Sequence, residues 1–229
     1  MKSRRTFLKA ATLAPGAMAQ AQSIYIPDRQ RESDRETILS FVEEFSFAMV
    51  ITGSPHVQVT NVPTLFERSK EGWGRLWWHL AKNNAQNEAM GGEVVVSFHG
   101  PHGYISPNWY ESKNAVPTWN FATVQVTGRP RRIDDDTQLA AGLRRLVMKN
   151  EARYGGGTKW KFDDLPDSYL KGMRQGVIGY EMDIERVEAK FKLGHERSAA
   201  DREGVLRGLA KSPKERGLAD FTQGYYERK

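Results

Sequence analysis

The chain has 229 residues, of which 39% are hydrophobic, 27% are charged and none is cysteine. It can therefore bury a core, and disulfides, thiolate catalysis and cysteine-based metal sites are excluded. Its formal charge of +6 includes four basic residues within residues 1–21. Without that segment 30 basic residues face 28 acidic ones, a net of +2, which argues against a field that attracts nucleic acid.

Residues 1–21 are typical of an export signal. Residues 3–9, SRRTFLK, resemble the twin-arginine motif, and residues 10–19 are apolar but too short to span a bilayer. Small residues lead up to Ala21, as a signal peptidase requires. We predict cleavage after Ala21 and a periplasmic or secreted mature protein without a membrane span. The alternative interpretation is a basic amphipathic helix that belongs to the fold.

The next part of the chain predicts one helix followed by β-structure. Asp34 is a candidate N-cap of a helix that reaches residue 47, because apolar residues recur there at spacings of three and four. A Gly-Ser-Pro turn separates two β-prone runs, residues 47–52 and 56–66, which predict a hairpin. Two further strands and a Gly- and Pro-rich loop are then predicted over residues 73–80, 93–98 and 99–107.

The second half predicts more strand, together with three helices. Residues 116–133 are β-prone, and three aspartates at 134–136 predict the start of a helix that ends near residue 154. Next come a loop over residues 154–164, a short helix over 168–175 and a long strand region over 177–193. The chain closes with a helix over 201–209 and a loosely held charged tail over 212–229. Six or seven strands without regular crossovers predict a mainly β (α+β) fold, an antiparallel barrel with peripheral helices.

Glycine, proline and large aromatic residues are densest in residues 99–110, HGPHGYISPNWY, and 116–121, VPTWNF. Such segments are costly to order unless they serve a site or an interface, although core packing of the indoles is the structural alternative. These motifs, with IYIP at 24–27 and VEAKFKL at 187–193, resemble the PaiB-type FMN-binding family. The similarity is collinear over about residues 24–210.

The resemblance implies a split-barrel domain over residues 24–211 and a homodimer with FMN at the subunit interface. By position, Lys82 and Asn83 after His79 would serve the phosphate or ribityl chain, and two lysines of one strand would add charge. The residues that the resemblance assigns to FMN are His79, Lys82, Asn83, Trp109, Thr118, Trp119, Asn120, Lys190 and Lys192. A solvated strand face for the lysines, and a hydrogen-bonded structural role for His79, are the alternatives.

Two departures from the family pattern bear on the cofactor. Lys82 stands where the family commonly has arginine, and Gly194-His195-Glu196 replaces a Ser-Gln-Asn run. Lysine keeps the charge but lacks the bidentate fork, which would weaken the hold on the flavin phosphate. Haem, which some related split barrels bind, is the alternative cofactor. The five histidines lack the spacing of a metal site, and no metal is predicted.

No side chain identifies itself as a catalytic acid or base. The leading hypothesis is an exported flavin-dependent oxidoreductase that acts on a small molecule. A non-enzymatic transcriptional regulator and a haem- or flavin-binding protein are the alternatives. Export and the small mature charge both argue against nucleic acid as a partner.

Overall fold

The computed structural model describes residues 24–157 and 160–228, so the predicted export signal lies outside the described residues. Five α-helices and nine strands are found in this part of the chain. In order they are α1 (Arg35–Glu44), β1 (Phe47–Thr52), β2 (Gln58–Pro63), β3 (Leu65–Glu67), β4 (Arg75–Ala81), β5 (Val94–Ile105), β6 (Thr118–Gly128), β7 (Arg131–Ile133), α2 (Asp136–Tyr154), α3 (Asp167–Gln175), β8 (Val177–Asp183), β9 (Arg186–Lys192), α4 (Ala199–Ala210) and α5 (Arg216–Glu227).

The strands form two antiparallel sheets. The order is β2-β1-β5-β6-β9 in the five-stranded sheet and β3-β4-β8-β7 in the four-stranded sheet. Successive side chains of a strand point to opposite faces, and one face of each sheet supplies the common core. Val50, Val96 and Val124 come from the first sheet, and Leu76 and Trp78 come from the second. The predicted mainly β fold with peripheral helices is confirmed.

The first helix and hairpin are also confirmed. The Asp34 carboxylate accepts a hydrogen bond from the Thr37 N–H at 2.8 Å, which caps α1. The helix ends at Glu44, earlier than predicted, because the chain then enters β1. β1 and β2 pair from Phe47 opposite Pro63 to Thr52 opposite Gln58.

Several segments differ from the prediction. The described part of the chain has nine strands rather than six or seven, because the predicted runs 56–66, 116–133 and 177–193 each divide into two. Residues 99–105 are not a loop but continue β5 to Ile105, with a register shift between His99 and His102. This bulge accommodates the Gly-Pro pair within the ladder. Residues 177–193 are not one strand region, since they divide into β8 and β9, which belong to different sheets.

Two helices lie over the outer side of the four-stranded sheet. The Asp135 carboxylate accepts from the Gln138 N–H at 2.7 Å and begins α2, and α3 follows a short 3-10 helix. Gly142 of α2 lies so close to Trp77 of β4 that a Cβ atom would clash with the indole. This contact brings the helix backbone down onto the sheet.

The prediction of a loosely held tail is wrong. Most of residues 212–229 form α5, and Leu218 and Tyr225 are buried in the core. The Tyr225 hydroxyl donates to Glu32 Oε2 at 2.8 Å, and the Tyr226 hydroxyl donates to the Leu193 carbonyl at 2.7 Å. In the described ranges no helix is both long and apolar enough to cross a membrane.

Candidate functional site

One cavity, of about 600 Å³, lies between β4, α2, α3 and the segment that joins the helices. Its walls are mostly aliphatic and aromatic, and its polar groups are an imidazole, two guanidinium groups, two hydroxyls and an indole N–H. The lining residues are His79, Thr137, Ala140, Ala141, Leu143, Arg144, Val147, Trp160, Phe162, Leu165, Tyr169, Leu170, Met173 and Arg174. We call it the His79 cavity.

His79 is the polar residue that the sheet contributes to this cavity. It stands on β4 directly opposite Gly179 of β8, which has no side chain to compete for the space. Burial lowers the pKa of His79, so the imidazole is neutral near pH 7. Its Nδ1 atom is buried and makes no hydrogen bond to any described residue. A neutral imidazole thus lines the cavity.

Lys82 and Asn83 form the exposed turn that follows β4. The Lys82 backbone N–H donates to the Gly176 carbonyl at 2.8 Å, directly after α3. Arg174, near the end of the same helix, lines the cavity. The turn therefore lies beside the C-terminal end of α3, next to the His79 cavity.

Four of the other predicted residues gather on a different surface, the start of β6 and the end of β9. The Lys192 ammonium donates to Thr118 Oγ1 at 2.6 Å. Strand register places Lys192 opposite Phe121 and Lys190 opposite Thr123, so both lysines share the outer face of the five-stranded sheet with Trp119. We call Trp119, Phe121, Lys190 and Lys192 the lysine face.

Aromatic rings surround the charge of the lysine face. The Lys190 ammonium lies 5.4 Å from the ring centroids of both Tyr25 and Phe121, and it donates to the Tyr25 carbonyl at 3.0 Å. Burial, and secondly the charge of Lys192, lower the pKa of Lys190. An anion bound between the two ammonium groups would relieve this repulsion.

Trp119 gives this face a flat apolar platform. It is 54% exposed and meets Tyr104 edge to face, with 6.0 Å between ring centroids. His102 lies beside the same indole, 6.3 Å away between ring centroids. A half-exposed indole next to two ammonium groups can stack on a planar ring whose substituent is anionic.

The last two predicted residues lie in packed surroundings. Trp109 packs so closely on Gly208 of α4 that a Cβ atom there would clash with its indole, which is the packing role left open by the sequence. Asn120 is buried, on the opposite side of β6 from Trp119. Tyr25, Phe121 and Arg174 were not predicted, although strand alternation from Trp119 would have indicated Phe121.

The donor groups fit FMN, which has a flat ring system and one phosphate. Aromatic and aliphatic walls suit the ring, and ammonium groups suit the phosphate. These features are divided between the His79 cavity and the lysine face, which lie on different sheets of one subunit. No group of three metal-ligating side chains occurs among the described residues.

Solved structures place the architecture among the split-barrel flavin-binding folds. A Bacteroides thetaiotaomicron protein described as a "putative 5-nitroimidazole antibiotic resistance protein" aligns with a TM-score of 0.51 and 13% identity, over 70% of this chain and 85% of its own. The FAD and heme binding protein from Mycobacterium smegmatis aligns with a TM-score of 0.51 and 14% identity, over 71% of this chain and 73% of its own. At such identities the likeness defines the fold alone.

Sequence comparison defines the family. Residues 24–186 match the family model described as "Putative FMN-binding domain". The Bacillus subtilis (strain 168) "Protease synthase and sporulation protein PAI 2" is 30% identical over 207 residues, which are 87% of this chain and 97% of that protein. An uncharacterized Aspergillus fumigatus protein is 30% identical over 198 residues, 71% of this chain and 76% of its own. The chain belongs to the PaiB-type FMN-binding family, and FMN is the cofactor that this membership assigns.

Proposed function

We propose that the mature chain is an exported homodimeric flavoprotein that transfers electrons to or from a small molecule. In this proposal the His79 cavity of one subunit and the lysine face of the other enclose one FMN. The observation that carries the proposal is the division of suitable groups between two surfaces, each of which is incomplete. The cavity offers walls and an imidazole, whereas the lysine face offers two ammonium groups on an open sheet.

Surface chemistry supports pairing through the five-stranded sheet. Phe47, Val59, Tyr104 and Trp119 are large hydrophobic residues on its outer side, and all four are exposed. Tyr104 and Trp119 are directly opposite each other on neighbouring strands, and an exposed aromatic pair of this kind favours burial against another protein. A second copy would cover these side chains and seal the cofactor from water.

When bound, FMN supplies the electron-transfer chemistry, and the side chains position it. His79 would hydrogen-bond a polar edge of the ring through a neutral nitrogen and so hold one tautomer. Trp119 of the partner subunit would cover a ring face and exclude water. The partner's Lys190 and Lys192, with Lys82, would balance the phosphate charge.

Subunit complementation tests this arrangement. His79→Ala and the double change Lys190→Gln with Lys192→Gln are each expected to lose most bound FMN, measured by flavin absorbance per dimer. Co-expressed with different tags, the two variants should form mixed dimers in which one of the two sites is intact. These mixed dimers are expected to regain half of the wild-type flavin content.

Lys70→Gln is the matched control, because Lys70 is an exposed lysine outside both surfaces. This change should leave the flavin content unchanged. Flavin-free mixed dimers would show that the two surfaces do not share a site. A monomer in solution that retains its flavin would reject the dimeric arrangement. Wild-type flavin in both parental variants would reject both surfaces.

A haem-binding role is the second candidate. The observation that favours it is His79, whose neutral imidazole lines the cavity and could ligate iron. The Mycobacterium smegmatis neighbour is known as an FAD and heme binding protein. The visible spectrum of the purified protein separates the candidates, because flavin gives two bands in the blue and near-ultraviolet, whereas haem gives a Soret band. A Soret band lost in His79→Ala would favour haem.

A further inference from the structure

We infer that the part of the His79 cavity beneath α2 and α3 binds the substrate, an aromatic molecule that carries one acidic group. This inference rests on the proposed function, since it assumes that a flavin lies at the β4 side of the same cavity. The ring would lie among the aromatic walls, and the acidic group would pair with Arg174.

The walls of this region select for a flat apolar body. Trp160, Phe162, Tyr169 and Met173 come from the joining segment and α3, and Val147 faces them from α2. A total volume of about 600 Å³ falls in the range of small-molecule sites, roughly 300–1,000 Å³. Aromatic and thioether side chains contact rings favourably through dispersion and edge contacts.

Charge then selects for an acidic substituent. Arg174 is the less exposed of the two cavity arginines, with 21% of its side chain accessible against 48% for Arg144. Its carboxylate partner, Asp136, is 71% exposed, and both hydrogen bonds are 3.2 Å long. A ligand carboxylate, sulfonate or phosphate can replace Asp136, which returns to water at little cost.

Arg144 has a different role. Its hydrogen bonds to Asp163, of 3.0 and 2.6 Å, fasten the 3-10 helix that carries Phe162 to α2. This pair holds a wall of the cavity in place. Arg174 is therefore the anion-binding group, and Arg144 is a positioning residue.

Two fluorescent probes of matched shape test the inference on the purified flavin-loaded protein. 8-Anilinonaphthalene-1-sulfonate is aromatic and anionic, whereas N-phenyl-1-naphthylamine is its neutral counterpart. Arg174→Gln should weaken binding of the sulfonate by about tenfold, as expected for loss of a charge-assisted hydrogen bond, and leave the neutral probe unchanged. Asp136→Asn, which frees Arg174, should strengthen sulfonate binding by roughly threefold.

Two further variants locate the site. Ala141→Trp, from an exposed position on the cavity wall, should block both probes. Arg145→Gln is the matched control, because Arg145 neighbours Arg144 but pairs with Glu67 outside the cavity. It should leave both affinities unchanged.

The outcomes are distinct. Both probes binding normally to Ala141→Trp, or equal losses of both probes in Arg174→Gln, would overturn the inference. Unchanged flavin absorbance in these variants keeps the result separate from the proposed function, whose failure would appear as a wild-type flavin content in His79→Ala. Displacement of the flavin by the sulfonate probe would assign the whole cavity to the cofactor and also overturn the inference.

Discussion

At the scale of single residues, His79 makes stability depend on pH. Burial lowers its pKa, so below the ordinary histidine value of 6.5 the unfolded chain binds a proton that the folded chain resists. The contribution of neutral His79 to the free energy of unfolding is fully present above pH 6.5. It is lost as the pH falls through the lower pKa of His79 in the folded protein. His79→Gln is expected to reduce the fall in melting temperature between about pH 7 and pH 5. Differential scanning fluorimetry of the wild-type protein and of His79→Gln measures this fall in melting temperature.

His99 is the internal reference for this measurement. Burial, and secondly His102, lower the pKa of His99 as well, so part of the pH dependence remains in the variant. An equal fall in melting temperature for both proteins would show that His79 does not resist protonation in the fold.

A second residue-scale prediction concerns Glu32. This buried carboxylate accepts hydrogen bonds from the Ser33 and Asp34 N–H groups at 2.9 and 2.7 Å, and from Tyr225. Tyr225→Phe removes one donor to a buried charge and is expected to lower the free energy of unfolding by about 1.5–3 kcal/mol. Urea denaturation measures the change. Tyr154→Phe, at an exposed tyrosine, is the control; equal stability of the two variants would contradict the prediction.

Residue roles could be predicted only where they are local in sequence. Asp34 and Asp135 cap helices whose first turns follow immediately, so a short pattern indicates both. Glu32 and Tyr225 are 193 residues apart, and no local pattern pairs them. The predicted FMN set contains residues of both candidate surfaces, but sequence gave no means of dividing it between two sheets.

At the scale of elements, packing of α2 on β4 shapes the His79 cavity. Gly142→Ala would force a methyl group into the Trp77 indole and is expected to destabilise the fold by about 1–3 kcal/mol. Gly172→Ala on α3 is the matched control: its Cβ meets nothing within 4 Å, so helix propensity should stabilise the fold by about 0.5–1 kcal/mol. Thermal melts compare the two, and a change of the same sign in both would contradict the packing explanation.

Element predictions failed where sheet membership decided the outcome. Gly100 and Pro101 normally indicate a loop, yet pairing with β6 on both sides of the bulge keeps the segment in the ladder. No glycine or proline separates β8 from β9, so nothing in the sequence marked the change of sheet. Leu218, Thr222 and Tyr225 recur at the three- and four-residue spacing of a helix and do indicate α5. The charged residues around them led to the prediction of a loosely held tail instead.

At the scale of the whole molecule, export is the prediction that decides where the function is exercised. Residues 1–30 fused to a reporter should direct it to the periplasm, whereas the double change of Arg4 and Arg5 to Lys should retain it in the cytoplasm. The two fusions carry the same charge, so a difference in their export reports recognition of the paired guanidinium groups. Fractionation and reporter activity measure the outcome, and equal export of the two fusions would reject a twin-arginine signal.

The position of α5 also constrains when the domain can fold. This helix is synthesised after all nine described strands, yet it buries Leu218 and Tyr225 and binds Glu32, which is 193 residues earlier in the sequence. While the ribosome still encloses these residues, the emerged chain exposes aromatic surface that α5 will later cover. Native packing is therefore completed only once α5 has emerged, and until then chaperones would protect the unfinished domain.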